Sequence, residues 1–338
     1  MVEFGLMMTF DTARRQVELA QWAEANGFDA VWLGEGRLTG SAIPPMTMIA
    51  AGTDHIKVGT GILPYRTRNV ALLAATFKTL DLIAPGRMRM GLGAWWEPLA
   101  SRTGLPNSKP LTAMREVITV SRELLAGRTV TYHGEFVDVT DIRFDGVEDD
   151  DGRAYDVPVF IGAVRFGMVA LSGEIADGVL LDFLVPPSYT VEAWGAIRRG
   201  AARSGRDLTG FQVPQLIATS VDDSDPQTAI DDCKAFLTQY LAQQSHITEF
   251  AGADPEIIAK VKSVVQWPTT KASIREAMQH LPNSLVQSVC ACGTTTQTLD
   301  KIHEYVAAGV TEATITPMGE DKMRTLEAVA SMSAVLGV

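Results

Sequence analysis

The sequence predicts one (β/α)8 barrel of the TIM type, formed by a single domain over residues 1–338. Eight short β-rich runs alternate with helical segments along the chain, which is typical of α/β barrels. Residues 57–97 read as strand, loop, helix, turn and strand, and a helical crossover of this kind joins parallel strands. An open doubly wound sheet is the alternative, but no G-x-G-x-x-G follows the first strand.

The strands are short runs of β-branched and apolar residues, several of which end in glycine. The eight strands are predicted at residues 4–10, 30–33, 57–62, 87–92, 159–161, 178–181, 212–220 and 312–316. A hairpin outside this repeat is predicted from residues 129–133 and 135–139, which are joined through Gly134.

The helices are recognised by apolar residues at helical spacing, as at Leu73, Phe77 and Leu80 of the third helix. Asp11 is the predicted N-cap of the first helix, and Gly27 is its predicted stop. Helices are predicted at residues 12–26, 43–51, 70–83, 112–126, 168–175, 191–204, 226–242, 296–308 and 322–336. Residues 245–282 have helical patches and fit no strand, so they are predicted to be an insertion between strands 7 and 8.

The composition narrows the class of protein. A net charge of −11 and a pI of about 5.0 argue against a nucleic-acid binder, which needs a basic face. No apolar run reaches membrane-spanning length and no signal pattern opens the chain, so we expect no membrane contact and a cytoplasmic location. The three cysteines fit no disulfide framework, and Cys290 and Cys292 are expected to be buried apolar residues, not metal ligands.

A barrel has its active site at the carboxyl ends of its strands. Glu35 follows strand 2, where it could accept a hydrogen bond, donate a proton if its pKa is raised, or lie in solvent as a loop carboxylate. Trp95 and Trp96 follow strand 4 and either line a substrate pocket or pack at the rim. Glu97 is the rival proton donor, and no zinc, P-loop or nucleophile-elbow motif is present.

Three stretches carry a family resemblance: VGTGILPYRTRNVALLAATFKTLDLIAPGRMRMGLGAWW, VPVFIGAVRFGMVALSGEIADG and CGTTTQTLDKIHEYVAAGVTEATITP. They resemble segments of bacterial-luciferase-like oxidoreductases, in the family's order. Within that superfamily they are most similar to the branch that uses the 5-deazaflavin coenzyme F420, which includes methylenetetrahydromethanopterin reductase. In that branch the peptide matching Gly61–Ile62 is cis and lies behind the cofactor ring.

The resemblance implies a set of cofactor-binding residues. They are Thr60, Gly61, Ile62, Gly93, Ala163, Val164, Arg165 and Gly178. Relatives bind the cofactor phosphate at a Gly-rich helix N-terminus, where this chain has Arg165-Phe166 instead of Gly-Pro. Gly178 has strand packing as its alternative role. Relatives often have His after the acid at Glu35, whereas this chain has Gly36, which counts against the sugar-phosphate dehydrogenase subgroup.

The implied function is an F420-dependent oxidoreductase that transfers a hydride between the deazaflavin C5 and a small organic substrate. An FMN-dependent monooxygenase is the alternative, and a non-catalytic flavin-binding relative is a third. We expect Glu35 to be the proton donor ahead of Glu97, and Arg66, Arg68 and Arg165 to face the anionic cofactor tail. The resemblance also implies a homodimer that pairs through helices near strands 2 and 3.

Overall fold

The computed structural model describes residues 2–8, 11–36, 38–97, 99–105, 107–145, 154–244, 247 and 250–333. The chain divides into two compact units. The central unit comprises Phe10–Leu180 and Ala196–Gln212, and the terminal unit comprises Met1–Thr9, Leu181–Gly195 and Val213–Val338.

Strands and helices alternate along both units. The strands are β1 (Glu3–Met7), β2 (Ala30–Leu33), β3 (Lys57–Thr60), β4 (Leu63–Pro64), β5 (Met88–Gly93), β6 (Val130–His133), β7 (Asp138–Ile142), β8 (Val159–Ala163), β9 (Gly178–Leu181), β10 (Pro214–Val221), β11 (Ala291–Gly293) and β12 (Glu312–Pro317). The helices are α1 (Ala13–Ala25), α2 (Ile43–Gly52), α3 (Val70–Ile83), α4 (Leu99–Arg102), α5 (Pro110–Leu125), α6 (Phe166–Ile175), α7 (Pro187–Ser204), α8 (Pro226–Gln243), α9 (Pro255–Val264), α10 (Lys271–Ala277), α11 (Asn283–Val289), α12 (Thr295–Ala307) and α13 (Lys322–Ser333).

The main strands are parallel within each unit. In the central unit β2 pairs with β3, β3 with β5, and β5 with β8. In the terminal unit β12 pairs with both β1 and β10. Strands β1, β2, β3, β5, β8, β9, β10 and β12 form the predicted (β/α)8 barrel, which confirms the fold class.

Most element predictions are confirmed within a few residues. Helix α3 has the predicted bounds, and β6 and β7 form the predicted antiparallel hairpin. The N-cap of α1 is Thr12, not Asp11, because the Thr12 side chain accepts from the Arg15 amide. Helices α9 and α10 lie in the predicted insertion between the seventh and eighth barrel strands, although residues 245, 246, 248 and 249 lie outside the described residues.

The ends of the chain and two short strands depart from the prediction. Residues 9, 10 and 334–338, where the first strand and the last helix were predicted to end, lie outside the described residues. Strand β4 pairs with β5, and β11 pairs with β10; neither was predicted, since runs of two or three residues carry no periodicity. The single domain over residues 1–338 stays a prediction.

An aromatic cluster fills the interior of the central unit. The rings of Trp32 and Phe160 meet edge to face with centroids 5.2 Å apart. The guanidinium of Arg89 lies 5.3 Å from the Trp32 ring and 5.4 Å from the Phe160 ring, within cation–π range. A Cβ on Gly59 would lie 2.6 Å from the Trp32 ring, so only glycine allows the strand to pass this indole.

Candidate active site

The peptide bond between Gly61 and Ile62 is cis, as the resemblance predicted. The end of β2 holds this peptide from both sides. The Gly61 amide donates to the Leu33 carbonyl at 2.8 Å, and the Glu35 amide donates to the Ile62 carbonyl at 3.1 Å. The backbone after β3 is therefore fixed to the backbone after β2.

Two glycines on neighbouring strands make room for the Ile62 side chain. A Cβ on Gly93, at the end of β5, would lie 2.7 Å from Ile62 Cδ1. A Cβ on Gly162, in β8, would lie 2.5 Å from Ile62 Cγ2. Gly93 was predicted to bind the cofactor. Gly162 was not predicted, because its role depends on a side chain 100 residues earlier in the chain.

Thr60, another predicted cofactor residue, has its hydroxyl bonded within the barrel. Thr60 is fully buried, and its Oγ1 donates to the Gly91 carbonyl at 2.8 Å and accepts from the Gly91 amide at 2.9 Å. Any contribution of Thr60 to a cofactor therefore comes through its backbone.

The Glu35 carboxylate is bound on both oxygens. Arg68 donates to Oε1 and Oε2 at 2.8 Å each, and Oε1 also accepts from the Ser41 hydroxyl and the Ala42 amide. Burial alone would raise the pKa of Glu35, but the bonds from Arg68, Ala42 and Ser41 leave it below its ordinary value. A carboxylate held in this way favours the ionised form, and the role of Glu35 as a proton donor stays a prediction.

Two of the three arginines expected at the cofactor tail, Arg66 and Arg68, have partners within the protein. Arg68 forms the bidentate pair with Glu35. Arg66 donates to the Ser108 carbonyl, and its guanidinium lies 4.5 Å from the centre of the Phe136 ring. Both residues therefore link loops at the barrel mouth, and their contact with an anionic cofactor tail stays a prediction.

The two tryptophans share one backbone acceptor. The indole N–H groups of Trp95 and Trp96 both donate to the Gly36 carbonyl, each at 2.9 Å. Trp95 is buried and Trp96 is half-buried. The side-chain amide of Asn107 donates to the Trp95 carbonyl. The pair lies at the carboxyl end of β5, as predicted, and its contact with substrate stays a prediction.

Glu97 is an exposed residue that closes a turn. Its carboxylate accepts from the Asn107 amide at 3.1 Å and from the Ser101 amide at 3.2 Å. These bonds, that from Asn107 first, hold the pKa of Glu97 below its ordinary value. This arrangement favours the ionised form, and the role of Glu97 as a rival proton donor stays a prediction.

The end of β8 leads directly into α6. Ala163 is buried, Val164 is half-buried and Arg165 is exposed. Arg165 occupies the N-cap position of α6 without a side-chain cap. A Cβ on Gly167 would meet only Leu111 Cδ1, at 3.7 Å, so this position has room for a small side chain.

Gly178 lies away from this group of residues. It begins β9, at the amino end of the strand, and a Cβ there would lie 2.4 Å from the Phe160 ring. This contact fits the packing role predicted as the alternative for Gly178, and its proximity to a cofactor stays a prediction.

The described residues also bear on metal binding, on the cysteines and on membrane contact. Among these residues, no group of three or more His, Cys, Asp or Glu is arranged to hold a metal ion. The three cysteines are all buried, as expected. None of the described helices combines the length and the apolar character that crossing a bilayer requires.

The chain is similar to known proteins over nearly its full length. The 5,10-methylenetetrahydromethanopterin reductase of Methanolobus tindarius is 29% identical over 96% of this chain and 98% of its own. The structure of the coenzyme F420-dependent tetrahydromethanopterin reductase from Methanopyrus kandleri superposes with a TM-score of 0.86, 28% identity and 97% coverage of both chains. An F420-dependent secondary alcohol dehydrogenase, solved with an F420–acetone adduct, has a TM-score of 0.73 over 93% of both chains; at 19% identity it shows the fold alone.

The family model described as luciferase-like monooxygenase matches residues 2–312, nearly the whole length. This match confirms the resemblance read from the three sequence stretches. The chain therefore belongs to the luciferase-like monooxygenase family.

Proposed function

We propose that the chain is an F420-dependent oxidoreductase that transfers a hydride between the deazaflavin C5 and a small organic substrate. The observation that carries the proposal is similarity along 97% of the chain to an F420-dependent tetrahydromethanopterin reductase. The segment Gly61–Ile62 after β3, called the bulge below, supports it because the neighbouring strands hold this segment in place.

The residues at the mouth of the central unit fit a flat cofactor. The backbone at Gly61 and Ile62 is held by β2, and the Ile62 side chain is seated against Gly93 and Gly162, so the bulge presents a fixed surface. The first turn of α6 is the expected phosphate site, because helix N-termini bind anions through their amides. Arg165, exposed at that turn, is the cation best placed for an anionic tail.

When bound, the deazaflavin supplies the hydride chemistry, and the protein supplies orientation and electrostatics. Gly61 and Ile62 support the ring, and Trp95 and Trp96 form a wall for the substrate. Glu35 and Glu97, both with lowered pKa values, organise loops.

Fluorescence titrations of F420 and of FMN at low and high salt test the cofactor. We expect F420 to bind more tightly, and its binding to weaken with salt, since the tail is polyanionic. Arg165→Ala should remove part of the salt dependence, whereas Arg14→Ala, an exposed arginine on α1, should not. Tight FMN binding without F420 binding would establish the monooxygenase alternative. Stopped-flow traces without any cofactor oxidation or reduction would favour the non-catalytic relative.

We also propose a homodimer that buries the outer faces of α2 and α3. Met48 on α2 and Leu72, Leu82 and Ile83 on α3 are between 40% and 68% exposed. The hydroxyls of two threonines on α3 bond to carbonyls of their own helix. Light scattering should give twice 36.5 kDa, and Leu72→Asp should give the monomer mass. A monomeric wild-type protein would refute this assembly.

A further inference from the structure

A three-residue strap, residues 107–109, connects the walls of the barrel mouth. The Asn107 side chain donates to the Trp95 carbonyl, and its amide donates to Glu97. The carbonyl of the next residue accepts from Arg66. Lys109 forms an ion pair at 2.8 Å with Glu135, in the turn of the β6–β7 hairpin. The strap therefore contacts the segment after β5, the loop after β4 and the hairpin.

Lys109 adopts a left-handed backbone conformation, with φ 42° and ψ 56°. Residues other than glycine rarely adopt this region, and it is also disfavoured immediately before a proline, here Pro110. Such a conformation persists where its surroundings hold it, and it often marks a functional segment. The contacts on either side of Lys109 are those that hold the strap in this shape.

The strap and one carbonyl together hold Trp95 at two points. Asn107 binds its backbone, and the Gly36 carbonyl binds its indole N–H. Because the same carbonyl also binds the indole N–H of Trp96, neither indole donor is left for a substrate. The exposed Leu38, two residues after Gly36, adds apolar surface to the same loop. The wall therefore offers ring faces and edges rather than hydrogen-bond donors.

We infer that this wall takes a flat, apolar, conjugated or aromatic group of the substrate, and that Asn107 is the positioning residue that orients it. This inference rests on the proposed function and names the substrate class of that site. Aromatic rings stack in offset or edge-to-face geometry, and a wall without donors gains nothing from a polyol. Asn107 acts through Trp95 and does not itself contact the substrate.

Fluorine NMR of the full chain labelled with 5-fluorotryptophan tests the positioning role without any cofactor. Trp95→Phe and Trp96→Phe assign their two resonances among the six tryptophans. Asn107→Ala should shift both resonances. The matched control is Asn26→Ala, which removes an equivalent bond from a side-chain amide to the Trp22 carbonyl at the end of α1. Asn107→Asp, which keeps the shape but loses the donor, should act like Asn107→Ala if the alanine variant folds poorly.

Titration of the same labelled protein with three alcohols tests the substrate class. Cinnamyl alcohol should shift the Trp96 resonance and saturate, 3-cyclohexylpropan-1-ol should bind more weakly, and glycerol should not bind. Asn107→Ala should weaken cinnamyl alcohol binding about five-fold, the size of one neutral hydrogen bond, and Asn26→Ala should not.

Two results would overturn the inference. If the Trp95 and Trp96 resonances do not move in Asn107→Ala, Asn107 has no positioning role. If glycerol binds as tightly as cinnamyl alcohol, the inferred substrate class is wrong. A protein that passes both tests but fails to bind F420 would refute the proposed cofactor and leave the wall intact, because these measurements use no cofactor.

Discussion

Replacing Gly162 by alanine should displace Ile62 and loosen the surface that supports the cofactor. The new Cβ would lie 2.5 Å from Ile62 Cγ2, whereas carbon atoms in contact sit at about 3.5–4.0 Å. An overlap of about 1 Å on a fixed bulge is overpacking, which costs about 1–3 kcal/mol. We expect Gly162→Ala to lower the free energy of unfolding by this amount and to weaken F420 binding.

A double-mutant cycle with Ile62→Ala isolates the clash. Without the Ile62 branches, the nearest atom is its Cβ at 3.6 Å, an ordinary contact. Gly162→Ala should therefore cost almost nothing in the Ile62→Ala background, which gives a coupling free energy of about 1–3 kcal/mol. Urea unfolding with unchanged m-values measures the cycle, and fluorescence titration measures F420 binding.

Gly167→Ala is the matched control, since its Cβ would meet only Leu111 at 3.7 Å. This variant lies in the first turn of α6, where alanine favours the helix over glycine by up to about 1 kcal/mol. It should be neutral or slightly stabilising. The packing argument would be refuted if Gly162→Ala unfolds like the wild type. It would also be refuted if Gly162→Ala lowers the free energy of unfolding equally in the Ile62→Ala background.

Three further predictions concern carboxylates. Glu35→Gln should destabilise the protein by about 1–3 kcal/mol at pH 7, because Arg68 loses a charged partner. The pKa of Glu35 is lowered on folding, so its stabilisation is present above the unfolded pKa of about 4.3 and is lost as the pH falls through the folded pKa. In that acid range the free energy of unfolding of Glu35→Gln should therefore change less with pH than that of the wild type. Glu97→Gln should keep kcat within about two-fold of the wild type, since this exposed residue closes a turn. A larger loss of kcat would support Glu97 as the proton donor. Glu116→Gln should lower the free energy of unfolding by about 1–3 kcal/mol, because the buried carboxylate accepts hydrogen bonds from three backbone amides of the hairpin turn. The side-chain NH2 of glutamine would face at least one of these N–H groups, donor against donor. An unchanged urea midpoint would contradict this prediction.

The fold was predictable because its signals are local. The spacing of Leu73, Phe77 and Leu80 and the turn at Gly86 depend on residues a few positions apart, so the sequence alone defines α3 and the strand after it. The end of the hairpin and the N-cap of α1 moved by only a few residues. The family's Gly61–Ile62 match also rests on adjacent residues, which is why the conformation there could be expected from a resemblance.

The electrostatics of the mouth could not be predicted in the same way. The partner of Glu35 is Arg68, 33 positions later in the chain, and nothing local marks these two charges as a pair. Their contact depends on how the loops after β2 and β4 close over the strand ends. The contacts of Glu97 and Arg66 could not be predicted for the same reason: their partners are backbone groups, and any residue type supplies those.

The acceptor shared by Trp95 and Trp96 is a main-chain oxygen, and this affects how the site can be changed. Side chains of the loop after Gly36 can be exchanged without removing that oxygen, provided that the backbone keeps its path. Exposed positions such as Leu38 can therefore be randomised in a library while the two indoles stay in place. In this loop a backbone carbonyl holds the two indoles, while exposed side chains such as Leu38 form the surface. The loop is therefore a practical starting point for altering substrate preference.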